Sequence, residues 1–91
     1  MELKDTIEMM TSDDYKERFK AEYYQTKIRY EKLKNFTTRI EAADMMMFEK
    51  SRNIEMPKHD CPLHLLREQQ STMGQYLHCL ELRAEIEGIE L

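Results

Sequence analysis

The stretch FKAEYYQTKIRYEKLKNFTTRI, residues 19–40, decides the fold. Phe19, Tyr23, Thr26, Tyr30, Leu33, Thr37 and Ile40 recur at alternating spacings of four and three. That is a heptad seam, the period of two helices wound along each other. No glycine or proline interrupts it. Upstream, Thr11, Ser12, Asp13 and Asp14 offer oxygens to the free N–H groups of a first turn, and Asp14 stands three before Glu17 as in a capping box. One helix is therefore expected over about 12–48, with Met45-Met46-Met47-Phe48 extending it. At 1.5 Å per residue it would run roughly 50 Å, too long to bury its apolar face alone.

A partner lies downstream. Pro62 suits the start of a helix, and two seven-residue series follow: Leu63, Gln70, Leu77, Ala84 and Leu91, and Leu66, Met73, Leu80 and Glu87. They predict a return helix over about 62–88, joined to the first by a loop over about 49–61 in which Met56-Pro57 breaks any helix. The expected fold class is all-α: a short N-terminal helical segment over 1–11, with Leu3, Ile7 and Met10 on one side, then a long antiparallel αα-hairpin over 12–91. Two glycines and two prolines in 91 residues leave too few turns for a sandwich or barrel.

The return helix carries a second apolar stripe, Leu65, Tyr76, Cys79, Leu82, Ile86 and Ile89, on a different arc from the seam. One partner helix cannot cover both arcs. The chain supplies only one other long helix, so further copies of it are expected to cover the stripe, giving a homo-oligomer.

Charge is unevenly placed. The chain carries −4 overall, but residues 15–39 hold eight bases against three acids, and the flanking 1–14 and 60–91 are each −4. A basic segment in an acidic chain needs acidic partners within the protein or an anionic ligand. Bulk DNA is not an expected partner, because an oligomer multiplies the negative total. Neither is a membrane: no run nears 18 apolar residues, and the opening Met1-Glu2-Leu3-Lys4-Asp5 lacks the features of a leader. The expected location is cytoplasmic, with Cys61 and Cys79 as reduced thiols.

Chemistry-bearing clusters are sparse. His59, Asp60, Cys61 and His64 form the densest set of metal-ligand types, yet His78 and Cys79 lie about four helical turns further on and cannot reach the same ion. Cys61 is expected at a helix terminus, His64 and His78 in solvent, and Cys79 buried. No metal and no cofactor is expected. Ser12, Ser51 and Ser71 sit in no nucleophile-elbow pattern, and no glycine-rich phosphate loop occurs, so no enzyme is expected. The better lead is the interleaving of Tyr15, Tyr23, Tyr24 and Tyr30 with Lys16, Arg18, Lys20 and Lys27, since rings stack on bases and cations meet phosphates. Tyr23 and Tyr30 occupy seam positions and are expected in the core, whereas Lys20, Lys27 and Lys34 repeat every seven residues along one face.

The hairpin residues also resemble a known family. Glu17-Arg18-Phe19, Glu22, Tyr30-Glu31-Lys32-Leu33 and Phe36, then Leu65-Leu66, Gln69, Met73, Tyr76, Leu80 and Arg83, resemble the hairpin domain of phage anti-defence sponges. Those small helical proteins sequester the cyclic-nucleotide messengers of the CBASS and Thoeris immune systems. The resemblance spans roughly residues 15–85 and implies a non-enzymatic homohexamer with ligand pockets between protomers, acting in the cytoplasm of an infected bacterial cell. It implies as ligand a cyclic di- or trinucleotide or a cyclic ADP-ribose-type messenger. Anti-CBASS members use a tyrosine and a lysine near the start of the long helix, a region that holds Tyr15 and Lys16 here. With them Arg18, Lys20 and, on the polar strip of the return helix, Arg67 complete the candidate ligand-binding residues. The alternative is an oligomeric helical module that captures a host protein and takes no small ligand.

Overall fold

A computed structural model describes residues 1–49 and 54–91. Its elements are a 3-10 turn, Leu3–Thr6, running into α1, Ile7–Met10, then the long α2, Tyr15–Met45, and α3, Leu63–Glu87. The described residues form an all-α array 55 Å long and about 24 Å across, as a 31-residue helix requires.

Local chemistry sets the helix ends. The Asp14 carboxylate accepts the Lys16 N–H at 3.0 Å and starts α2 at Tyr15, three residues after the expected start. The expected capping box is not completed, since the Glu17 carboxylate turns to Lys20 at 3.5 Å. α2 ends at Met45, short of the expected Phe48: Met46–Phe48 form a turn in which the Met47 N–H reaches back three residues, to the Asp44 carbonyl. Pro62, with extended ψ, is the N-cap of α3. At the far end Gly88 adopts φ +69°, and the Ile89 N–H donates to the Ala84 carbonyl at 2.8 Å. This left-handed close is open to glycine at no steric cost and turns the chain back on itself. Ile89 is thereby buried against the hairpin, which corrects its assignment to the outer stripe.

α2 and α3 pack antiparallel. Phe19 and Tyr23 meet Leu77, Leu80, Ala84 and Ile89 in one dry cluster, with Tyr24 and Tyr30 packed against it. The heptad positions Phe19, Tyr23, Thr37, Ile40, Leu77, Leu80 and Ala84 are buried and those between them part-buried, and Leu80, 1% exposed, is the innermost large side chain of the seam. Glu87 and Leu91, which close the two predicted series, are exposed. The N-terminal segment lies on another face of α2. Its inward residue is Thr6, whose hydroxyl donates to the Leu3 carbonyl at 2.7 Å and accepts from Gln25 at 2.9 Å, while Ile7 and Met10 remain about half exposed.

The outer face of α3 is uncovered. Leu65, Tyr76 and Leu82 are each about half exposed, and Ile86 is 83% exposed. Cys79 belongs to this exposed face as well, contrary to the expected burial, because the seam arc passes through Leu77 and Leu80 and leaves residue 79 pointing away. Lys50–Asn53, within the expected loop, lie outside the described residues. No helix among the described residues is long and apolar enough to cross a membrane.

Candidate functional site

Polar chemistry collects in two places along the hairpin. The first is its open end, where the start of α2 meets the end of α3. The Tyr15 hydroxyl donates to Glu87 at 2.8 Å and accepts from Arg83 at 2.6 Å, and Arg83 also donates to Glu87 at 3.1 Å. The Arg83 guanidinium lies 5.0 Å from the centre of the Phe19 ring, so one cation joins a tyrosine, a carboxylate and an aromatic face. The Tyr15 hydrogen bond, helped by Arg83, holds the Glu87 carboxyl below its usual range, and the same bond raises the Tyr15 phenol. The Glu87 bond likewise raises Arg83, keeping its charge fixed. Beside them Tyr76 donates to Glu22 in a short contact that pushes its phenol up. Tyr23 completes the pattern on the other flank: burial, then its 2.7 Å bond to Glu81, takes its phenol to about 12. Three tyrosine–carboxylate bridges thus tie α2 to α3. Spacing along the sequence gave no sign of them, because each pairs residues more than fifty positions apart.

The second place is the middle of the hairpin. Gly74 lets the Tyr30 ring lie against α3: a Cβ added at Gly74 would stand 3.3 Å from the Tyr30 ring. One turn along α3 the seam turns polar, with the Thr37 hydroxyl bonded to the Gln70 carbonyl oxygen at 2.6 Å. Beyond it Arg67 pairs with Glu41 at 2.6 Å. Where apolar side chains would have filled the interface, a groove of about 780 Å³ opens, bordered by Tyr30, Lys34, Arg67, Gln70, Ser71 and His78.

The five residues chosen from sequence do not form one site in a single chain. Tyr15 belongs to the open-end network, and Lys16, one position on, leaves the helix about 100° away. Arg18 donates to the Ser12 carbonyl at 2.8 Å and pins the turn before α2. Lys20 is held by Glu17 within its own helix. Arg67 lies in the central groove, sixteen residues and about 24 Å along α3 from Arg83. Sequence reasoning missed Arg83, Glu87 and the groove. The signal for the groove was present in Thr37 and Gln70, two polar residues at seam positions, and in Gly74 beside them.

The basic segment is open. Of its eight bases only Lys20 is ion-paired among the described residues. Lys16, Lys20, Lys27 and Lys34 fall within an arc of about 40° on α2, and Lys34 borders the groove. The Lys27 amine stands 5.8 Å from the centre of the Tyr23 ring. His64 and His78 are exposed as expected, Cys61 stands just before the Pro62 N-cap of α3 and is exposed too, and the described residues contain no group of three side chains that could hold a metal ion.

A family model described as Sequestin matches residues 13–86. That span runs from just before the α2 N-cap to the last turn of α3. Neither a curated protein nor a solved structure matches the chain.

Proposed function

The chain belongs to the Sequestin family, and from that premise we propose that it binds a nucleotide messenger and withholds it without cleaving it. The observation that carries this reading is the row of lysines along α2, which among the described residues make no ion pair save at Lys20. Cations kept free beside aromatic rings and an open groove suit a ligand with phosphates and bases. The ligand class is a cyclic di- or trinucleotide, or a cyclic ADP-ribose-type molecule, as in bacterial anti-phage signalling. A cyclic dinucleotide has about 45 non-hydrogen atoms, and roughly 0.3 kcal/mol for each allows about 13 kcal/mol of binding. That is about nanomolar affinity, which removal of a signal by binding demands.

The working form is a homo-oligomer, a hexamer by family resemblance. Its support is the set of exposed apolar residues on the outer face of α3, Leu65, Tyr76, Leu82 and Ile86, which are costly to leave in water. Clefts between copies would bring Tyr15 and Lys16 of one chain toward the groove of another. The same apolar face also supports the competing function, capture of a host helix with no small ligand.

Native mass spectrometry tests both. The protein is sprayed with and without a panel of cyclic dinucleotides, a cyclic trinucleotide and cyclic ADP-ribose, and melting is followed in parallel. One ligand class retained on a closed oligomer, raising the melting temperature and recovered intact after denaturation, is expected. A strictly monomeric protein that retains none of the panel overturns the proposal, and product in place of ligand would make it an enzyme.

A further inference from the structure

We propose that the central groove between α2 and α3 is itself a nucleotide-binding site, with the Tyr30 ring facing a base and Lys34 holding a phosphate. The inference rests on the sequestering function.

The seam itself argues for it. A hairpin built only for packing would carry apolar residues at positions 37 and 70, as it does at 77, 80 and 84. Instead Thr37 and Gln70 spend their hydrogen bond on each other, an exchange worth little net stability. The Gln70 amide nitrogen has no partner among the described residues, although the side chain borders the groove. That leaves two N–H donors for the edge of a base or a phosphate oxygen. Gly74 removes the one side chain that would crowd Tyr30, so part of the ring remains at the groove wall.

Charge selects an anion. The groove is bordered by Lys34 and Arg67 against the single carboxylate of Glu41, which already bonds Arg67. Lys34 therefore approaches a phosphate with its charge uncommitted. The neighbouring depression near the open end has the opposite character: Tyr23 is there surrounded by Glu81, Glu85 and Glu90. Two hollows on one hairpin thus carry opposite charge, and a phosphate is drawn to the central one. A volume of about 780 Å³ falls within the range of small-molecule sites.

The test uses the full chain and titration calorimetry with cyclic di-AMP, cyclic di-GMP, cyclic ADP-ribose, 5′-AMP and inorganic phosphate. Lys34→Ala is expected to weaken the tightest of these probes about tenfold or more, the loss of one charge-assisted hydrogen bond. Ser71→Glu, at an exposed position on the groove rim, is expected to abolish binding by repulsion while the circular dichroism and oligomer mass stay as in the parent. Weak binding of 5′-AMP beside tight binding of a cyclic probe assigns the site to the cyclic messenger, and binding of phosphate alone with equal strength overturns the role of Tyr30. Parent-like titrations of Lys34→Ala and Ser71→Glu, with a cyclic probe still bound, overturn the groove and leave sequestration standing. If no probe binds the parent chain, sequestration of these messengers fails and the groove fails with it.

Discussion

The two halves of the α2–α3 seam obey different rules. Toward the open end, Phe19, Tyr23, Leu77, Leu80, Ala84 and Ile89 exclude water, and polar groups are confined to the rim as tyrosine–carboxylate bridges. In the middle, Thr37 and Gln70 occupy the same kind of position and, with Gly74 beside them, border a groove. The two halves differ in their side chains: apolar burial toward the open end, and in the middle a buried Thr37 hydrogen-bonded to a part-buried Gln70, with Ile40 and Ala43 buried beyond it.

Substitutions can break this contrast. The largest effect is expected from Leu80→Ala in the dry half, which should cost about 2–5 kcal/mol in urea unfolding, because the cavity cannot collapse between two stiff helices. Next, alkali should act through Tyr23. Its phenol is raised from 10 to about 12 by burial and the Glu81 bond, so the neutral form is the one the fold favours. The stability this contributes is fully present below pH 10 and is lost as the pH rises toward and through 12. Tyr23→Phe should reduce the alkaline dependence, read as melting temperature against pH, leaving the smaller part that the raised Tyr15 and Tyr76 phenols contribute, and should delete one late tyrosinate transition in ultraviolet absorbance. The smallest effect belongs to the polar half. Thr37→Val alone should cost about 1–2 kcal/mol, since it strands the Gln70 oxygen, whereas Thr37→Val with Gln70→Leu should return near the parent value. A double variant as unstable as the single would mean that the polar pair is needed for packing, and the contrast between the halves would fall.

Much of the architecture was readable in advance, for reasons particular residues make clear. The four-three spacing from Phe19 to Ile40, matched by Leu63 through Ala84, is a periodic signal repeated over many turns, and the hairpin follows it. Asp14, Pro62 and Gly88 mark helix ends through chemistry that acts within one turn. The outer stripe of α3 was visible through Leu65, Leu82 and Ile86 for the same reason, and these residues are exposed. Expectations failed where one residue had to be placed rather than a pattern. Cys79 faces solvent, and Ile89, one step beyond a left-handed glycine, leaves the helical period altogether and enters the core. Tyr15, Lys16, Arg18, Lys20 and Arg67 were chosen by residue type and by family resemblance, and within one chain they lie at the open end, at the turn before α2 and in the central groove.

The sequence by itself determined the helical hairpin, the length of its rods, the basic stripe on one rod and the apolar face left over on the other, because periodicity, capping and charge are properties of near neighbours along a chain. Only the tertiary structure decided which tyrosine meets which carboxylate, that Arg83 rather than Lys16 stands beside Tyr15, and that a groove opens at Tyr30 and Gly74. Those facts depend on the register of two antiparallel helices. Register is the sum of many weak packing preferences over some 45 Å, and no single stretch of sequence contains it.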